Sequence, residues 1–312
     1  MKYYEPADYR RFACLKGACK NTCCAGWEID IDPDTAELYR SLPGSLGERA
    51  RGGMKRDGDV FSFRLDSQGR CPMLDPDGLC ALIRELGEQA LCDICTDHPR
   101  YRNWFSDRME IGLGLCCEAA ARQAVFRRRP VRLLLTDDDG AEESLREADK
   151  RLLSLREACL SVFWRNDLSW AQKERRFLSR LKVRPPFVCC GEEAFLRGLE
   201  RLDPKWDERL SLLRRPLPPR PVSSRRCLAL SQLAVYFLYR HLPDAVFDGL
   251  TVPRALFALW AVRLIGRMTV SPSLPALAET TRMFSAEIEY SDENLAACFA
   301  YLQGQAVRSE PA

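Results

Sequence analysis

Two textures of apolar and polar positions divide the chain. From about residue 141 onward, apolar side chains recur at helical spacing. Leu145, Leu152, Leu155 and Val162 mark one face of a helix over 141–165, and 168–181 and 191–202 repeat the habit. Longer patterns of the same kind cover Ser224–His241, 252–267 and 274–282, with a last one near 292–303. A Pro/Arg-rich break at 214–221 interrupts them, because proline fixes φ and removes backbone donors.

The first 120 residues read otherwise. Their apolar positions are short and irregular, punctuated by turn signals such as Arg51-Gly52-Gly53 and Asp75-Pro76-Asp77-Gly78. Asp32 as N-cap with Pro33 at the first helical position predicts a short helix over 33–42. Alternation over 60–65 predicts a strand, with 108–115 as a second arm, and a helix is expected from near Ala81 to the stretch Asp93 to Pro99. The fold class expected is mainly α: an irregular cysteine-rich, metal-binding domain over 1–125, then an α-helical bundle over 126–312.

Apolar residues make up 46% of the 312, enough to bury a core without cross-links. A formal net charge of +3 gives no global field for nucleic acid. Residues 1–120 carry 16 basic against 20 acidic side chains and the remainder 31 against 24, so the helical part is mildly basic. The most apolar stretch, 255–265, contains Arg263 and falls short of the ~20 residues that a membrane span requires. Met1 to Pro6 is polar and shows no secretory pattern, so the expectation is a soluble, cytoplasmic protein with no membrane partner.

Fifteen cysteines then need an explanation. Their odd number and crowding, ten of them between Cys14 and Cys117, argue against a disulfide framework. Cys14-x4-Cys19-x3-Cys23-Cys24, Cys71 with Cys80, Cys92-x2-Cys95 and Cys116-Cys117 bring short-spaced thiolates together with others from distant loops, as a soft metal requires. Histidine is scarce (His98 and His241), which favours an all-thiolate iron–sulfur cluster, most simply 4Fe-4S, with zinc as the alternative. The first ligands to choose are Cys19, Cys23, Cys92 and Cys95, and the next are Cys24, Cys71, Cys80 and Cys117. Ten local cysteines exceed the needs of one centre, so either two metals are held or some thiols are structural. The C-x3-C-x2-C spacing of radical S-adenosylmethionine enzymes is absent. Cys159, Cys189, Cys190, Cys227 and Cys298 read as ordinary core.

Several pieces together carry a resemblance: Cys23-Cys24-x2-Trp27-x-Ile29, Cys71-Pro72-Met73-Leu74, Gly78-Leu79-Cys80, Cys92-x2-Cys95-x3-Pro99-Arg100, Tyr236 through Leu242, and Phe284-Ser285-x-Glu287-Ile288-Glu289-Tyr290-Ser291. In these the chain resembles the bacterial flagellin lysine N-methylases, and its cysteine pattern is similar to that of small proteins described as zinc- or iron-chelating domains. The resemblance implies methyl transfer from S-adenosylmethionine to lysine ε-amines of flagellin, dependent on a cysteine-ligated centre. One departure is Tyr290, where the family pattern leads one to expect His after Glu289.

No dinucleotide-type glycine fingerprint is present; Gly112-Leu113-Gly114-Leu115 is too short and suggests close backbone packing beside Cys116. Lysine methylation requires a neutral amine, so a carboxylate or phenol to take the proton is sought, and Glu287, Glu289 and Tyr290 are the candidates. Their alternative is a solvated helix start. Arg100, with His98 beside it, could hold the carboxylate of S-adenosylmethionine or substrate, or serve as a structural ion pair. Tyr239-Arg240-His241 reads as a helix C-terminus, and Trp27 and Trp104 equally as screens for the metal or as ordinary core. Rival functions are a metal-bound redox sensor without catalysis, and a scaffold whose basic helical half docks an acidic protein.

Overall fold

A computed structural model describes residues 1–141, 144–214 and 223–307. The Pro/Arg-rich break lies, from Pro216 and the arginine before it onward, outside the described residues. The chain forms two compact units, one of residues 13–100 with 117–119, the other of 1–12, 101–116 and 120–312.

In the cysteine unit, Asp32 caps the helix Pro33–Ser41 by accepting from the Thr35 amide at 2.8 Å, with Pro33 opening the helix as expected. A hairpin pairs Met54–Asp57 with Val60–Phe63 through a turn in which Gly58 takes φ +57°, and Asp30–Ile31 adds a third strand. Ile29, Ile31, Tyr39, Phe63, Met73 and Leu82 form the core. The single helix expected from Ala81 onward is broken into Ala81–Leu86 and Asp93–Asp97, because Gly87 at φ +88° ends the first piece in a conformation other residues avoid.

The other unit is mainly α, as the periodicity predicts, with a four-stranded sheet ordered Arg100–Trp104, Arg108–Leu113, Lys2–Pro6, Leu133–Asp138. Lys2–Pro6 runs parallel to Arg108–Leu113 and antiparallel to Leu133–Asp138. This pairing explains why 1–12 and 101–116 group with the helices, so the division does not follow the boundary at 125. It also separates the arm expected at 108–115 from the strand expected at 60–65, since alternation fixes a strand but not its partner. The bidentate Arg156–Glu110 pair, at 2.6 and 2.7 Å and almost wholly buried, pins the helix Glu147–Phe163 to the sheet.

Helix starts follow their caps. Ser169 and Gln172 form a capping box before Trp170–Arg180, and Ser223 and Ser273 accept from the amides of Arg226 and Ala276 at the heads of Ser224–His241 and Leu274–Phe284. The apolar run at 255–265 lies in the buried helix Thr251–Met268, and no described helix is long and apolar enough to cross a membrane. Phe237, Phe257, Trp260 and Phe284 fill the core between these helices. Leu274–Phe284 does not stop at its last α turn; it widens into a π turn over Ser285–Glu289 before Asp292–Val307 begins.

Candidate metal centre and buried carboxylate network

None of the fifteen cysteines is joined in a disulfide. Nine belong to the cysteine unit, and the fold sorts them into two groups. Cys71, Cys80 and Cys92 are buried in the core, with Cys24 and Cys95 packed against it. The Cys71 amide donates to the Cys24 carbonyl at 2.8 Å, which ties the first cysteine motif to the second. Cys92 precedes the short helix Asp93–Asp97, so that Cys95 lies one turn on, and their thiols are hydrogen-bonded. The Cys95 bond favours the Cys92 thiolate against burial, while the same bond and burial hold Cys95 protonated. Burial first, and then the neighbouring Cys24, Cys80 and Cys92, push Cys71 up to about 12.

The remaining four, Cys14, Cys19, Cys23 and Cys117, stand outside that core, and Cys14 and Cys23 are exposed. Cys19 lies within electrostatic reach of Cys14 and Cys117, and Cys23 of the same two. Glu118 accepts from the Lys20 amide at 3.0 Å and sits 3.9 Å from the Cys19 sulfur. Cys23 bonds to Cys24 and so touches both groups. Of the first-choice ligands, Cys92 lies in the core with Cys95 packed against it and Cys19 lies outside, while Cys23, bonded to Cys24 and within electrostatic reach of Cys95 as well, lies between the groups. Cys24, Cys71 and Cys80 join the inner group, and Cys117 the outer. Among the described residues no three His, Cys, Asp or Glu side chains already stand as an ion's ligands do. The fit to a metal is thus one of donor chemistry and neighbourhood: soft thiolates, several of them screened from water.

Arg100 holds backbone carbonyls of its own unit. Its Nη1 donates to the carbonyls of Thr96 and Asp97 at 2.9 and 3.5 Å, closing the helix that carries Cys95. His98 lies against Trp27, ring centres 5.2 Å apart, and Trp27 Nε1 donates to the Cys23 carbonyl at 2.5 Å. Trp27 thus lies beside the first cysteine motif. Trp104 belongs to the other unit and is half exposed.

In the helical unit the π turn divides the acidic candidates. Glu287 accepts from the amides of Leu202 and Asp203 at 3.1 and 2.5 Å and holds a loop end; burial raises its carboxyl. Glu289 turns into the core, where its carboxylate meets Tyr236 Oη at 3.0 and 3.2 Å, His241 Nε2 at 2.6 Å and Arg240 Nε at 3.3 Å. Burial favours the neutral acid, but Arg240 and then His241 outweigh it and hold Glu289 below the usual carboxylate range. Burial likewise depresses His241, more than Glu289 raises it, so the imidazole is assigned as neutral with its Nε2–H donating to Glu289. Neither glutamate solvates a helix start, and Arg240 and His241 serve this carboxylate rather than a helix dipole alone.

Arg240 also donates to Tyr236 Oη at 2.8 Å and lies between the rings of Tyr101 and Tyr290, 5.1 and 5.2 Å from their centres. Tyr290 neighbours the Cys116 thiol, and burial pushes its phenol well up. Cys116 is thus drawn to this network, apart from its neighbour Cys117. Sequence reasoning missed Tyr236, Tyr101 and Cys116. Tyr236 was within reach, since it stands four residues before Arg240 and so shares its helix face.

Gly112 explains the short glycine motif. A Cβ there would fall inside the Tyr101 phenol. Gly112→Ala is expected to push Tyr101 off Arg240 at a loss of about 1–3 kcal/mol, read by urea unfolding and by the near-ultraviolet tyrosine signal. An unchanged midpoint would show that Tyr101 moves freely.

No protein-family description matches the chain, and no solved structure resembles it. Among curated proteins, it is 33% identical over 119 residues to a lysine-N-methylase of Salmonella typhimurium. It is 32% identical over 119 residues to the flagellar biosynthetic protein FliU of Salmonella muenchen and to a lysine-N-methylase of Salmonella choleraesuis. The match takes in 36% of this chain, 70% of FliU and 30% of each methylase, so only about a third of the methylases' length is spanned.

Proposed function

The chain belongs to the family of the lysine-N-methylases and FliU, and on that premise we propose that it methylates lysine ε-amines of flagellin, with S-adenosylmethionine as donor and a cysteine-ligated centre in its N-terminal part. The kinship carries this reading. The inner thiols Cys24, Cys71, Cys80, Cys92 and Cys95 would hold an iron–sulfur cluster or zinc, since they offer soft donors screened from water. The donor, when bound, supplies a sulfonium methyl, and the cluster supplies a Lewis-acidic or electron-rich anchor.

The lysine amine must be neutral to attack. Of the three acidic and phenolic candidates, Glu287 holds a loop and Glu289 positions Arg240 and Tyr236. Tyr290 is only partly buried, which supports assigning it the contact with a substrate. With its phenol held protonated, Tyr290 orients the amine, and the Arg240 charge beside it disfavours the ammonium form. Tyr290 thereby takes the place of the expected His. Arg100, whose Nη1 holds the end of that helix, is a positioning residue for Cys95 on this reading.

Co-expression with the flagellin of its own host tests the proposal. Intact flagellin mass is expected to rise in steps of one methylene, mapped to lysines, and Tyr290→Phe is expected to slow this about 10²-fold. Flagellin of unchanged mass beside folded, metal-loaded protein would rule out the activity for this pair.

A further inference from the structure

The sheet of the helical unit ends on one side in a strand with an open edge. Among the described residues, Leu133–Asp138 pairs with Lys2–Pro6 and with no other strand. Exposed edges invite further pairing, so proteins cover them or place charges along them. This edge is apolar at its middle instead: Leu134 and Leu135 are 49% and 52% exposed. The register tells which backbone groups face outward. The Ala7 amide donates to the Arg132 carbonyl at 3.0 Å, and Leu134 stands opposite Glu5. In an antiparallel strand a residue turns its N–H and C=O to one side, and the next residue turns them to the other. Arg132 and Leu134 therefore face Lys2–Pro6, while Leu133 and Leu135 present theirs to the open edge. The two ends of the strand carry opposite charge. Arg132 leads into it, with its guanidinium 5.9 Å from the Trp164 ring centre. Asp137 and Asp138 close it, accepting from the amides of Asp138 and Gly140 at 2.9 and 3.1 Å. Among the described residues no basic side chain pairs with either aspartate.

We propose that this edge pairs with the same edge of a second copy of the chain, antiparallel about a two-fold axis at Leu134, so that the two sheets become one. The occupant follows from the charge pattern. Antiparallel apposition of two identical strands sets the Arg132 end of each beside the partner's Asp137 and the partner's Asp138, whereas parallel apposition would set like charge against like. The axis at Leu134 also satisfies the outward backbone groups. Leu133 exchanges both its hydrogen bonds with the partner's Leu135, and Leu135 does so with the partner's Leu133. Leu134 then faces the partner's Leu134 as a non-hydrogen-bonded pair, Cα atoms about 4.5 Å apart, the spacing at which side chains pack closest. Thr136 has no partner residue on Lys2–Pro6, and this bulge limits the regular pairing to the three leucines. So short a contact buries less than the ~1,200 Å² of a standard interface, and the dimer is a weak, reversible one with a Kd on the order of 10 µM. The inference is independent of the methylation reading and of the metal.

Sedimentation velocity of the full chain tests this, with reductant present so that the exposed Cys14, Cys23 and Cys190 cannot link copies. Between about 1 and 200 µM the weight-average mass is expected to rise from one chain toward two. Leu134→Lys changes an exposed side chain and, on the axis, sets two ammonium groups against each other. It is expected to raise the Kd at least about tenfold while melting as wild type does. Arg132→Asp gives a strand acidic at both ends, and Asp137→Arg/Asp138→Arg one that is basic at both. Each is expected to stay monomeric alone, and the two to form a heterodimer when mixed. Wild type that remains monomeric at about 200 µM would overturn the proposal and leave the edge to a strand of another protein. A wild-type dimer that Leu134→Lys leaves intact would also overturn it, since the contact then lies elsewhere on the chain. So would charge variants that fail to pair when mixed.

Discussion

Replacing Arg240 with Met is expected to lower the unfolding free energy of the helical unit by about 3–5 kcal/mol. Glu289 has no exposed side-chain surface, and Arg240 retains only 12% of its own. Removing the guanidinium therefore leaves a carboxylate stranded in the core, with neutral donors such as Tyr236 and His241 in place of a charge to stabilise it. Tyr101 and Tyr290 also lose the cation between them. Urea unfolding followed by circular dichroism measures the loss. A change under about 1 kcal/mol would mean that the pair behaves as a solvated surface ion pair. Arg240→Met combined with Glu289→Met should recover part of the deficit, because both charges then leave together.

The same network sets a pH dependence. Glu289 is held below its ordinary value of 4.5, so its stabilising effect is present above that value and is lost as pH falls through the lower folded one. His241 is held below its ordinary 6.5, so the unfolded chain takes up a proton first and acid destabilises the fold in that window as well. In Arg240→Met, burial acts on Glu289 without its main opponent, and the carboxyl titrates higher. The gap between variant and wild type should therefore narrow as the pH is lowered. A gap that widens on acidification would contradict this assignment of charges.

How much of this was legible in the sequence depended on range. Local signals read true: Asp32 with Pro33 marked a helix start, Ser224–His241 was bounded to the residue, and the helical texture gave the fold class. Long-range pairing was not legible. Nothing in Lys2–Pro6 announces that it will lie beside Arg108–Leu113, and that pairing moves the unit boundary. Glu287 and Glu289 looked like one acidic group because they are two residues apart. The π turn, which has no residue signature of its own, sends one to a loop end and the other to the core. Cys116 and Cys117 illustrate the same limit from the other side, adjacent in sequence and divided between two units.

Cys92→Ser/Cys95→Ser is expected to remove the inner metal, lower flagellin methylation to background, and loosen the fold of the cysteine unit. Cys92 is fully buried in the core with Tyr39, whose hydroxyl bonds the Ala90 carbonyl two residues before it. Cys95 stands one turn along the helix that Arg100 closes. Serine keeps the size of these side chains but is a poor ligand for a soft ion. Metal affinity that is normally realised as folding free energy is then lost. Chelator-stripped wild type is the necessary comparison. If stripping reproduces the variant's loss of hydrogen-exchange protection across the core from Ile29 to Leu82, the loss belongs to the metal. If stripped wild type stays protected and only the variant loosens, the two thiols act as packing and the serine hydroxyls destabilise by burial alone. A double variant that is fully loaded and active would instead move the catalytic centre to the outer thiols, Cys14, Cys19, Cys23 and Cys117. The two groups can be told apart in this way because the fold keeps Cys92 in the core with Cys95 packed against it and leaves Cys14 exposed.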